Sequence, residues 1–131
     1  MSDTETVIDI EHLKKSFGKS EILKDINLKI NRGETVVTLG KSGTGKSVTL
    51  KCIVGLIKPD SGKVNVLGKN IPDLSYEELQ YMRKKIGFVF QSGALYDSMS
   101  VRQNLEFPLM RNTDLTSDDI NKKVEEVLND V

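Results

Sequence analysis

The octapeptide Gly40-Lys41-Ser42-Gly43-Thr44-Gly45-Lys46-Ser47 follows directly on the apolar run Thr35-Val36-Val37-Thr38-Leu39. It constrains the fold because each residue type in it answers a separate physical demand. Glycines at Gly40 and Gly45 let the backbone turn tightly around an anion, with successive N–H groups pointing inward where a β-side chain would otherwise obstruct them. Lys46 is placed to reach the β- and γ-phosphates of a nucleotide, and the Ser47 hydroxyl to ligate Mg²⁺. The following segment, Lys46 to Leu56, reads as a helix whose positive dipole end faces the phosphates. Strand, glycine-rich turn and helix in that order separate a phosphate-binding P-loop from an ordinary flexible Gly/Ser turn.

A chain of 131 residues accommodates one domain with a real core. Acidic and basic residues balance at 19 each, so no global field favours nucleic acid or an anionic membrane. No apolar run approaches the roughly 20 residues of a membrane span, and Met1 to Thr6 is polar with two acids. These features predict a soluble, cytoplasmic protein that does not bind nucleic acid. The single cysteine, Cys52, excludes a disulfide framework within the chain and reads as buried filler rather than a reactive thiol.

Val7 to Phe17 alternates loosely as a first strand, and Ile22-Leu23, Ile26, Leu28 and Ile30 continue a β pattern. Lys58-Pro59-Asp60-Ser61-Gly62 carries turn chemistry, and Lys63 to Leu67 alternates as another strand. Ser75 with Glu78 forms a capping box for a helix to about Lys84. Ile86-Gly87-Phe88-Val89-Phe90 is continuously apolar, as a strand buried on both faces of a parallel sheet is. A helix from Val101 to Met110 is interrupted by Pro108. Thr116 or Ser117 caps a last helix, Asp118 to about Asp130. The expected fold is α/β: a P-loop NTPase parallel core of RecA-like type with an antiparallel β layer on its N-terminal side.

Phe17-Gly18, Leu23-Lys24-Asp25-Ile26-Asn27-Leu28, Arg32-Gly33-Glu34, the P-loop, Gly55-Leu56, Pro59-Asp60-Ser61-Gly62 and Gln91 stand in the order and spacing of the ATP-binding-cassette (ABC) ATPases. The resemblance runs from about Val7 to Met110. It implies a single cassette domain, with a β layer and P-loop core over about residues 5–90 and a Q-loop and the start of a helical subdomain over 91–131. It also implies Mg-ATP as ligand, with Phe17 stacking on adenine and Gln91 binding Mg²⁺ or the attacking water through its amide oxygen. The alternative reading of Phe17 is a core phenylalanine, and Gln91 taken alone reads as an exposed loop residue. Catalytic roles fall to Lys46 and Gln91, metal contacts to Ser47 and Gln91, and nucleotide contacts to Phe17 and to Gly40 and Ser42 through Val48. Many ABC ATPases have Thr where Val48 stands; Val48 offers a phosphate only its backbone N–H.

The segment Gln91-Ser92-Gly93-Ala94-Leu95 resembles the ATPases of Mla-type lipid-transport systems, which work with MCE proteins. Partners implied are permease subunits, a second ATP-binding subunit in a head-to-tail dimer and an MCE-type substrate-binding protein, on the cytoplasmic face of the inner membrane. Leu95, Tyr96 and Met99 then suit a permease interface, or else pack locally. The family's Leu-Ser-Gly-Gly-Gln-like signature, its Walker B acids and its switch histidine are not found in these 131 residues, and His12 lies upstream of the P-loop. The expectation is an incomplete cassette that binds nucleotide with negligible hydrolysis. Two other classes remain open: a P-loop nucleotide kinase, and an ABC ATPase that does not transport.

Overall fold

The computed structural model describes residues 5–131. These form two compact units, one running to Ile86 and the other spanning Gly87–Val131. In the first unit β1 (Thr6–Phe17) and β2 (Ser20–Asn31) form a long hairpin. Adding β3 (Ser61–Val66) and β4 (Lys69–Asn70) gives the order β2-β1-β3-β4, antiparallel at every pairing. Strict alternation would put Ile10 and Leu13 on opposite faces, because side chains in a strand repeat every second residue. Both are buried, because the ladder slips between them. His12 occupies the bulge with φ 51°, and its amide is held by Asn27 Oδ1 at 2.8 Å. With the extra residue Leu13 is buried as Leu23, Val64 and Val66 are, which complete the sheet side of the core.

Against this sheet lies α1 (Lys46–Ile53), contributing Cys52 and Ile53, with Val54 buried just beyond. Cys52 is the buried filler expected, and burial pushes its thiol pKa up. Chain direction then reverses through Gly55. Arg83, at the end of α2 (Tyr76–Arg83), donates to the carbonyls of Val54 at 3.0 Å and Gly55 at 2.8 Å, satisfying acceptors that a helix end leaves open. The capping box expected at α2 is present, with Glu78 N–H donating to Ser75 Oγ and Ser75 N–H donating to Glu78 Oε2.

Two expected strands are absent. Neither 35–39 nor 86–90 joins a ladder, so no parallel pairing occurs among the described residues. A strand exists only through a hydrogen-bonded neighbour, and the apolar side chains here find no layer to enter: Val37 is 73% exposed, Leu39 88% and Val89 91%. Phe88 and Phe90 instead meet edge to face, with centroids 4.7 Å apart.

In the second unit α3 (Val101–Asn112) runs through Pro108 rather than stopping there. Pro108 lies on an exposed stretch of the helix, and the Ser100/Gln103 capping box fixes the helix start. Thr116 caps α4 (Ser117–Asn129) with Asp119 closing the box. Ile120 and Val124 of α4 are buried, and Arg102 of α3 pairs with Glu106 and with Glu125. Among the described residues no helix is long and apolar enough to cross a membrane.

Candidate phosphate-binding site

Gly43 and Gly45 hold φ of 82° and 96°, conformations that L side chains rarely adopt. A Cβ on Gly45 would come within 2.5 Å of Leu23 Cδ2 and 3.1 Å of Ile22 Cγ2, so this glycine also lets the loop close directly onto β2. Within the loop, Thr44 Oγ1 donates to the Lys41 carbonyl at 2.8 Å. Lys46 Nζ donates to the carbonyls of Gly40 at 2.6 Å and Lys41 at 2.7 Å, which places its ammonium across the mouth of the turn.

Among the described residues three of the four α-helices begin with a reciprocal side-chain cap; α1, beginning at Lys46, has none. Its first turn contains no acid, whereas α2 opens with Glu77 and Glu78 and α4 with Asp118 and Asp119. The leading N–H groups of a helix have no intrahelical acceptor, so those of α1 remain available to an anion beside the Lys46 ammonium. Ser42 and Ser47 are exposed, and Val48 is half-buried on the same first turn. The oxygen donors expected for a metal, the Ser47 hydroxyl and the Gln91 amide, suit a hard cation such as Mg²⁺. Among the described residues no group of three or more His, Cys, Asp or Glu side chains could hold a metal. That chemistry fits Mg²⁺ carried mainly by nucleotide phosphates and water, the usual arrangement for this ion.

Phe17 ends β1 opposite Ser20 and is 48% exposed, so it is a surface aromatic rather than a core phenylalanine. Sheet register ties it to the loop: Gly45 packs on Leu23, Leu23 pairs with Lys15, and Lys15 stands two residues before Phe17. Sequence spacing overlooked two groups here. Asp60 Oδ1 accepts from Lys15 Nζ at 2.7 Å, and Oδ2 accepts from the Ser16 amide at 2.7 Å. These bonds hold the Asp60 carboxyl below its ordinary pKa, the Lys15 bond being the larger cause. Only the turn motif around Asp60 hinted that it had a partner.

Gln91 is exposed and belongs to the second unit. Further along that loop, Asn104 clamps Tyr96 by accepting its N–H at 2.8 Å and donating to its carbonyl at 3.1 Å. Tyr96 meets Phe107 edge to face at 5.3 Å, while Leu95 stays exposed. Met99 lines a cleft of about 370 Å³ with Ser98, Gln103, Glu106, Phe107 and Met110.

Comparison with known proteins agrees with this geometry. A post-hydrolysis dimer of the ATP-binding cassette MJ0796 bound to ADP and Pi is similar with a TM-score of 0.83 and 33% identity, covering 93% of this chain and 56% of that one. Among curated proteins, "Protein TRIGALACTOSYLDIACYLGLYCEROL 3, chloroplastic" of Arabidopsis thaliana is 43% identical over 97% of this chain and 36% of its own length. The "Probable ribonucleotide transport ATP-binding protein mkl" of Mycobacterium leprae is 43% identical over 92% of this chain and 35% of its own. The chain thus spans about a third of the length of these curated relatives. The sequence model described as "ABC transporter" matches residues 23–131. With that match covering most of the chain, and with a cassette fold and a P-loop in place, the chain belongs to the ABC transporter family of ATP-binding cassettes.

Proposed function

We propose that these residues form the phosphate-binding part of a transporter's ATP-driven cassette and bind Mg-ATP at the start of α1. The observation carrying this reading is the uncapped, acid-free first turn of α1 beside Lys46, where the other α-helices of the described residues cap themselves. In the bound state Gly40 and the Ser42 to Val48 amides surround the phosphates, Lys46 neutralises the β- and γ-oxygens, and Ser47 ligates Mg²⁺. Phe17 presents its ring to adenine, and Gln91 serves the metal or the attacking water.

Hydrolysis further needs an oriented water and a positioned base. No base is among the groups placed here, and lacking one costs on the order of 10² to 10⁴ in rate. The 131 residues by themselves therefore bind ATP with negligible turnover. Calorimetric titration with Mg-ATP tests binding: wild type binds and Lys46→Ala loses most of the affinity, whereas equal affinity would remove the loop from the site. Steady phosphate release that disappears in Lys46→Ala would refute the claim on turnover.

In the whole protein the cassette pairs with a second copy and drives a permease at the cytoplasmic membrane face. Lipid is the favoured substrate class, and MCE-type proteins are the accompanying partners. Support comes from the Ser92-Gly93-Ala94-Leu95 segment and from a relative named for a galactolipid. Other relatives are named for methionine and for sulfate import, so substrate class needs its own test. ATPase activity of the full-length protein with its permease, reconstituted in vesicles, should rise with added phospholipid. Stimulation by methionine or sulfate instead would overturn the lipid assignment.

A further inference from the structure

Phe17 is held by machinery of its own. Lys15 Nζ lies over its ring, 5.4 Å from the centroid, within the reach of a cation–π contact. The Lys15 side chain is only 17% exposed, unusual for a lysine on a small sheet, and its direction is fixed by the 2.7 Å bond to Asp60 Oδ1. Asp60 does more than pair with it. Its second oxygen takes the Ser16 amide at 2.7 Å, immediately before Phe17, and its own N–H donates to the Lys14 carbonyl at 2.9 Å. One residue thus fixes the backbone on the N-terminal side of Phe17 and the cation on the ring.

We propose that Asp60 and Lys15 are positioning residues for the base of the nucleotide: Asp60 holds Lys15 on one face of Phe17, leaving the other face as a pre-set platform for a purine. The inference rests on the reading of Phe17 as the base-stacking residue. A ring whose rotamer is already fixed loses less freedom when a base stacks on it, so the effect falls on base recognition and spares the phosphates.

The 131-residue chain is titrated with Mg-ATP and, as a base-free probe, with inorganic tripolyphosphate, in wild type, Phe17→Ala, Asp60→Asn, Lys15→Met and Lys15→Arg. Asp60→Asn and Lys15→Met should each weaken ATP about three- to five-fold while leaving tripolyphosphate unchanged, and Lys15→Arg should retain most of the ATP affinity. Either change added to Phe17→Ala should cost nothing further, because the ring they position is gone. Equal weakening of ATP and tripolyphosphate would mean a merely structural role and overturn the proposal. If Phe17→Ala weakens ATP but Asp60→Asn and Lys15→Met do not, the positioning inference alone falls. If Phe17→Ala has no effect while Lys46→Ala abolishes binding, the reading of Phe17 fails and takes the inference with it.

Discussion

Gly45 is the position where one added methyl group should cost most relative to its neighbours in the loop. At φ 96° a side chain is strained, which costs about 1–3 kcal/mol at such positions. The same Cβ would sit 2.5 Å from Leu23 Cδ2. Leu23 is buried at the centre of the sheet core and has nowhere to retreat, so overpacking adds about 1–3 kcal/mol. Gly45→Ala should therefore destabilise by about 2–6 kcal/mol. Gly43 is the internal control: its φ is 82°, but a Cβ there meets nothing within 4 Å. Gly43→Ala should cost only the backbone strain, about 1–3 kcal/mol. Urea unfolding followed by circular dichroism, with m-values compared to confirm a common unfolded state, measures both. Equal losses in the two variants would refute the claim that contact with β2, rather than backbone conformation alone, demands glycine at position 45.

Three other outcomes are expected. Asp60, with its pKa depressed from 3.8 by Lys15 and the Ser16 amide, contributes stability that is present above 3.8 and is lost as pH falls through its lower folded-state value. The stability gap between wild type and Asp60→Asn should accordingly be full at neutral pH and close in acid; a gap independent of pH below 4 would contradict the ion pair. Cys52, fully buried with its thiol pKa raised by desolvation, should react with a thiol reagent only after denaturant is added, and rapid labelling of the native chain would contradict its place under the sheet. Thr116→Ala, which removes the acceptor for the Asp119 amide, should cost about 1 kcal/mol and fray α4, seen as lost helical ellipticity and faster amide exchange over 117–120.

Features set by nearest neighbours were readable before the fold was known. Ser75 and Glu78 cap a helix wherever it lies, and Lys46 to Ser47 opens one after a glycine turn; both needs are met within a few residues. The segments 35–39 and 86–90 carry strand-like composition, but a ladder depends on what lies alongside, which composition does not encode. Pro108 misled for the opposite reason: a local rule predicted a break, and α3 runs on through it for four further residues to Asn112. The Lys15–Asp60 pair spans 45 positions and became visible only when the sheet register was known. In the loop the residue types announced phosphate chemistry, while contact with β2 emerged only from the coordinates.

The two bonds from Lys46 to the loop carbonyls give that side chain a second occupation. An ammonium has three protons to donate, and Gly40 and Lys41 take two of them. The remaining proton can meet a phosphate oxygen while the other two keep the turn braced, so the cation is strut and ligand contact at once. An alanine at 46 removes a cross-member along with a charge, and part of its effect on binding is architectural. An arginine would keep the charge yet replace one compact ammonium, which both carbonyls meet, with donors fixed in a rigid planar fork. Size and directionality, as much as charge, thus account for a lysine at the head of α1.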